Sequence, residues 1–392
     1  LNLKILQPEV QQFITDNLKS DITKLILKGS SFDAISVQEL ANQIVAKQKS
    51  AKKLPTWFST KNIYYPPKLS IEQTSSEITA TYKANLISGN SIIDITGGFG
   101  VDCFAFSKRF KQVTHCELND DLSTIVKHNY QQLNINNIST ISGNGIDYLK
   151  NTSEKFDWIY IDPSRRNDTK GKVFLLEDCL PNVPKDLDFL FTKSDKILIK
   201  NSPILDISST INELNFVKEI HIIAVNNEVK ELLFLLEKDY SNSIEIKTIN
   251  FQKDKQQVFN FQLKTEVFSE YSEPLTFIYE PNTAILKSGG FHQITKQKPV
   301  KKLHQHSHLY TSENLIDFPG RRFKIEQILP YDKKELRKIK KANITTRNFP
   351  DSVDIIRKKT KIKDGGTTYL FFTTNNKNKL IVIYCSPIIL KF

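Results

Sequence analysis

The stretch Ser91-Ile-Ile-Asp-Ile-Thr-Gly-Gly-Phe-Gly-Val-Asp102 constrains the fold more than any other part of the chain. A short apolar run ends in an acid at Asp94 and then breaks into glycines, which predicts a buried parallel strand, a tight turn and the start of a helix. Glycines suit such a turn because the backbone bends sharply and lets a ligand come close, while the helix start presents free N–H groups. An ordinary strand-to-helix loop can also carry Gly-x-Gly, so the turn gains meaning only from the ends of the neighbouring strands.

Two further strand ends fall at matching distances. Gln112-Val-Thr-His-Cys-Glu117 predicts a second strand whose last residue is an acid, nineteen residues past Gly98 and placed for the 2′ and 3′ hydroxyls of a ribose. Phe156-Asp-Trp-Ile-Tyr-Ile-Asp162-Pro163-Ser164-Arg165-Arg166 predicts an apolar strand ending in Asp-Pro. Open α/β sheets bind ligands at the carboxyl ends of such strands. A nicotinamide-binding turn would read Gly-x-Gly-x-x-Gly; here the third position is Cys103, which counts against a dinucleotide.

Together, Asp94, Gly98, Gly100, Glu117 and Asp162-Pro163 resemble the class I S-adenosylmethionine-dependent methyltransferases. The resemblance implies an α/β, Rossmann-like, seven-stranded sheet and S-adenosyl-L-methionine as cofactor. It implies cofactor contacts from Gln73, Ser75, Asp94, Thr96, Gly97, Gly98, Gly100, Glu117, Asn144 and Asp162. Gln73, Ser75 and Ser76 match a polar cluster that covers the methionine end of the cofactor in many members, and helix capping accounts for them nearly as well. Asn144 stands where an acid often takes the adenine amino group, and its carbonyl is expected to accept there.

Residues 1–70 carry helical apolar spacing, as in Val10, Phe13, Ile14 and Leu18, followed by an aromatic linker from Leu54 to Pro67 with Trp57 in it. The linker aromatics are expected to pack, with base stacking as the other use. Residues 71–240 form the methyltransferase domain: a helix over 71–84, helices after Gly100 and Asp121, a fifth strand at Lys196–Lys200, and a closing hairpin at 220–225 and 232–236. Past Tyr240, short strands at 243–249 and 258–263 predict a separate small α+β, ferredoxin-like module over 241–320. Within it His304, His306 and His308 alternate and would share one face of a strand; no carboxylate or cysteine completes a metal set, and a solvated segment is expected.

Residues 321–392 make a last unit, and between Tyr331 and Lys363 twelve Lys or Arg stand against four Asp or Glu. Much of the chain's +12 net charge therefore lies there, and basic side chains on such a unit can neutralise phosphates without reading sequence. Solvated surface lysines would give the same composition. The order of pieces, including Tyr279-Glu-Pro and Ala342-Asn-Ile-Thr-Thr-Arg-Asn-Phe-Pro350, resembles bacterial methyltransferases with a C-terminal THUMP-like domain. THUMP domains bind tRNA, so the resemblance implies tRNA or rRNA as partner.

Four scattered cysteines with no close pairs fit a reducing cytoplasm, and no stretch is apolar enough to span a membrane. Methionine is absent and Leu1 stands where an initiator is expected, so methionines are expected to have been rewritten as other residues.

For transfer to an exocyclic base amine, the usual strand-four motif is Asp or Asn, Pro-Pro, then an aromatic. Here Asp162 and Pro163 are kept, Ser164 replaces the second proline, and Arg165 replaces the aromatic. Arg165 is expected to stack on a base or bind a phosphate, with a structural ion pair as the plainer use. Asp162, Pro163, Ser164 and Arg165 are thus the expected catalytic set of an RNA base methyltransferase. Two other classes fit the same residues: an RNA-binding or assembly protein with a relic cofactor site, and a methyltransferase for protein or small molecules.

Overall fold

The computed structural model describes residues 1–165, 175–253 and 255–388. The chain forms two compact units, Leu1–Val217 with Phe234–Ser241, and Lys218–Leu233 with Asn242–Phe392. Among the described residues no helix is long and apolar enough to cross a membrane.

The N-terminal helices Pro8–Asp16, Ile22–Lys28 and Val37–Lys53 enclose a core of Ile5, Val10, Ile14, Leu25, Leu40 and Ile44. The longest begins at a capping box, where Ser36 Oγ accepts from the Glu39 N–H and the Glu39 carboxylate accepts from the Ser36 N–H. In the expected linker, Pro55–Ser59 forms a short helix and Trp57 is fully buried, its ring 4.7 Å from Phe104. Packing takes that ring, so Trp57 is closed to a base. The helix expected over 71–84 is two, Lys68–Gln73 and Glu77–Leu86. Ser76 leaves helical geometry and its Oγ accepts from the Thr79 N–H, which starts the second helix afresh.

The central sheet has strands β1 (Ser91–Asp94), β2 (Gln112–Glu117), β3 (Ile138–Ser142), β4 (Trp158–Ile161), β5 (Lys196–Asn201), β6 (Val217–Val225), β7 (Glu228–Glu237), β8 (Glu245–Gln252) and β9 (Lys255–Gln262). Their order is β9-β8-β6-β7-β5-β4-β1-β2-β3. Strands β3, β2, β1, β4 and β5 run parallel, with Ile93 opposite both Thr114 and Ile159. Residues Ile92–Asp94 of β1 and all of β4 are buried, as a parallel sheet covered on both faces requires. The β6–β7 turn is only Asn226-Asn227, both at positive φ, +50° and +63°, the geometry of a two-residue hairpin turn.

The expected seven strands are therefore nine. Strand β8 pairs parallel to β6, and β9 folds back antiparallel on β8 with Phe259 and Phe261 inward and Asn260 and Gln262 outward. The two strands past Tyr240 thus pair at the edge of this sheet.

A second sheet runs in the order Lys301–Lys302, Tyr310–Ser312, Phe277–Pro281, Gly320–Pro330, Leu380–Pro387, Tyr369–Thr374, Asn343–Arg347. One apolar cluster holds Ile278, Phe323, Phe371 and Ile383; another holds Leu336, Ile356, Ile362, Leu370 and Phe372. Beyond Pro281 the chain turns into the helix Thr283–Ser288, because Asn282 Oδ1 caps it by accepting from the Ile285 N–H.

Candidate active site

Three parallel strands end side by side, and the residues at their ends bound the candidate site. Asp94 closes β1 with its carboxylate buried; Oδ1 accepts from the Thr96 N–H at 2.9 Å and from Thr96 Oγ1 at 3.0 Å, and Oδ2 accepts from Cys103 Sγ at 3.4 Å. Burial pushes the Asp94 carboxyl up to about 7, and the charge of Asp102 adds to the shift. Thr96 also joins β1 to β4, since its Oγ1 accepts from the Asp162 N–H at 2.7 Å.

The glycine turn is held from both sides. The Gly97 N–H donates to Cys116 O at 2.8 Å, and a Cβ at Gly97 would stand 2.2 Å from His115 Nε2, so no side chain fits there. Burial pushes the His115 imidazole down to about 4, against the pull of the Gly97 and Gly98 backbone, and keeps the ring beneath the turn neutral. At Gly98, φ is +55° and the space around a Cβ is open, with Thr96 O the nearest atom at 3.8 Å. Its N–H donates to Glu117 Oε2 at 2.8 Å, while Glu117 Oε1 accepts from the Asn119 N–H at 2.7 Å. The Glu117 carboxylate is thereby fixed at the tip of β2. Gly100, at φ +77°, precedes the helix Val101–Ser107.

The other expected residues take varied places. Ser75 is buried; Gln73 is exposed at the end of its helix and makes no side-chain hydrogen bond among the described residues. Asn144 caps the helix Gly145–Asn151, its Oδ1 accepting from Ile146 N–H at 2.9 Å and Asp147 N–H at 3.3 Å. The carbonyl expected to face adenine is thus already engaged. Asp162 forms an ion pair with Lys200 from β5. Pro163 is half-buried and Ser164 exposed; Ser164 and Arg165 pair antiparallel with Leu180 and Cys179. The Arg165 side chain and Arg166 lie outside what the structure describes.

Below the site lies a buried charge cluster that sequence reasoning missed. Lys83, fully buried, places Nζ 3.2 Å from Asp102 Oδ1 and 3.0 Å from Ser75 Oγ. Asp102 Oδ2 accepts from Ser75 Oγ and from the Tyr160 hydroxyl, both at 2.8 Å. Burial alone would raise the Asp102 carboxyl, but Lys83, Lys200 and the two hydroxyls outweigh it and hold it below the usual range. Asn201 is buried at the end of β5, and among the described residues neither its amide oxygen nor its nitrogen has a hydrogen-bond partner. A lysine inside the apolar spacing of a helix was the one available signal for Lys83.

His304, His306 and His308 do not share a strand face. They lie in a turn, with His308 at φ +52° and stacked on Phe291, while His304 bonds Asn378 and Asn348. Among the described residues, no group of three or more His, Cys, Asp or Glu can hold a metal ion.

Comparison with known proteins places this geometry among relatives. Residues 43–185 match the family model for conserved hypothetical protein 95, residues 277–319 a ferredoxin-like domain, and residues 320–387 a THUMP domain-like model. The crystal structure of a candidate methyltransferase from Porphyromonas gingivalis W83 is 29% identical and superposes over 99% of both chains with a TM-score of 0.88. An rRNA methylase from Streptococcus thermophilus is 13% identical over 41% of this chain and 94% of its own, with a TM-score of 0.30. A candidate methyltransferase from Streptococcus mutans, in complex with SAH, is 14% identical over 41% of this chain and 96% of its own, also at 0.30. No curated protein matches the chain.

Proposed function

We propose that the chain is a methyltransferase with a C-terminal THUMP-like domain and that it methylates an exocyclic amine of a base in tRNA or rRNA. The observation that carries the reading is the link Asp94–Thr96–Asp162, which ties the glycine turn to the Asp-Pro strand end. The residues present fit S-adenosyl-L-methionine: Gly98 leaves open space over the turn, and the fixed Glu117 carboxylate can accept from ribose hydroxyls. Asn144 and Ser75 belong to the same proposed set, with Asn144 offering its amide nitrogen because its oxygen caps a helix. When bound, the cofactor supplies an electrophilic methyl group.

The chain's own residues must align a nucleophile and exclude water. Asp162 is the group proposed to accept hydrogens from the substrate amine. Lys200 keeps its carboxylate in place, and Thr96 fixes its backbone relative to β1. Pro163 and Ser164 shape the wall beyond it, and Arg165 is proposed to hold the substrate. The basic segment between Tyr331 and Lys363 supports a polyanionic substrate.

Purified protein incubated with methyl-labelled cofactor and total RNA tests the reading. Label should enter material that ribonuclease destroys. Label that enters only ribonuclease-resistant material would assign the enzyme to a protein or small-molecule substrate.

A further inference from the structure

In the second unit, a hollow of about 660 Å³ is lined by Arg337, Lys340, Lys341, Lys361 and Lys363, with Ile339 at its wall. Among the described residues, no acidic side chain lines it. All five cations are exposed. Among the described residues, none of the five joins the ion pairs of this region, which are Lys338–Glu335, Arg357–Asp364 and Lys359–Asp351.

The fold holds these like charges together. Lys363 N–H donates to Lys340 O and Ala342 N–H to Lys363 O, both at 3.0 Å, so the two lysine-bearing segments are stitched by their backbones. Between the outward Lys361 and Lys363, Ile362 drops into the apolar cluster with Leu336 and Ile356. Lys361 itself sits at φ +67° where the helix Val353–Thr360 ends, which turns the chain back along the rim. Convergent charges repel unless an anion screens them. Five of the seven residues that line the hollow are Lys or Arg, a density of positive charge that suits a polyanion. Lysines act as point charges on phosphates and read no base sequence.

We propose that this hollow binds adjacent phosphates, and that in the working enzyme they are consecutive backbone phosphates of the RNA substrate. The second half of the statement rests on the function proposed above; the first does not.

The test uses the full chain in three forms: wild type, Lys340→Gln/Lys341→Gln/Lys363→Gln, and a charge-matched control, Lys333→Gln/Lys334→Gln/Lys358→Gln. Among the described residues the first set has no side-chain partner to lose, so its melting temperature should match wild type. Filter binding of total RNA across a salt series should show the hollow variant losing roughly 2 to 3 from the slope of log affinity against log salt, at about 0.7 to 0.9 per phosphate contact. The control should lose less than one such contact. In a second arm, inorganic tripolyphosphate should raise the melting temperature of wild type and control but not of the hollow variant.

Equal slope losses in the two variants would make the hollow no more than general surface charge and overturn the site. RNA binding by the hollow variant with the wild-type slope would overturn the RNA assignment of this hollow while leaving the RNA substrate standing. A tripolyphosphate response confined to wild type and control, with no RNA binding by any form, would keep the phosphate site and sink the RNA reading.

Discussion

The Lys83 ammonium, buried completely, lies 3.2 Å from Asp102 Oδ1 beneath the glycine turn. Asp102 is in turn bound by Ser75 and Tyr160, so helix Glu77–Leu86, helix Val101–Ser107 and strand β4 meet at one carboxylate. Removing one partner of a buried pair strands the other charge away from water. Lys83→Met should therefore lower stability by about 3 to 5 kcal/mol in a denaturant titration. In a double-mutant cycle with Asp102→Asn, the combined loss should fall short of the sum of the single losses. Strict additivity would show that the two charges do not depend on each other.

Asp94 gives the site a pH signature. Its folded pKa, about 7, lies above the 3.8 of an unperturbed aspartate, so between those values the folded chain holds a proton that the unfolded chain releases. The stability from this group is complete below the unfolded value and is lost as pH rises through about 7. Buried His115, whose pKa falls from 6.5 to about 4, works in the opposite sense over much the same range, which makes the wild-type curve a composite. Asp94→Asn removes only the Asp94 contribution. Melting temperatures of wild type relative to Asp94→Asn should fall as pH rises from 5 to 8; a constant difference would mean that Asp94 is ionised throughout.

Glu117 tests the cofactor assignment. In Glu117→Ala, affinity for S-adenosyl-L-methionine should drop by about 1 to 3 kcal/mol, the loss expected when a buried polar group is left without its partner. Calorimetry reads this directly, with a thermal melt to check the fold, because the Gly98 and Asn119 N–H groups lose their acceptor too. Unchanged affinity in a folded variant would remove Glu117 from the ribose site.

The site's framework was legible because strand ends announce themselves. Asp94, Glu117 and Asp162 each close an apolar run, and parallel pairing then brings them together whatever the loops between them do. Burial and partners were not legible. Lys83 reads as one more polar residue on a helix until Asp102 is seen beside it, and the helix cap that engages the Asn144 oxygen shows only in the structure. Strand pattern shows that β8 and β9 exist but not which sheet they join. His304, His306 and His308 would share a face only on a strand, and the positive φ of His308 goes with the turn that the chain makes there. Removing residues 321–392 would not isolate the effect of the basic region, because Gly320–Pro330 pairs with both Phe277–Pro281 and Leu380–Pro387 and the cut would open an apolar core as well as remove charge. Charge substitutions isolate the basic region without that damage.

The most direct measurement is mass spectrometry of RNA nucleosides from cells that lack the protein, supplied with wild type or with Asp162→Asn. Asp162 touches Lys200 and Thr96, and its amide replacement keeps the shape while removing the charge proposed to hold the substrate amine. One methylated nucleoside should be missing without the protein, return with wild type and stay missing with a folded Asp162→Asn that still binds cofactor. An unchanged nucleoside profile in all three would contradict an RNA substrate, and full restoration by Asp162→Asn would contradict the role given to this carboxylate.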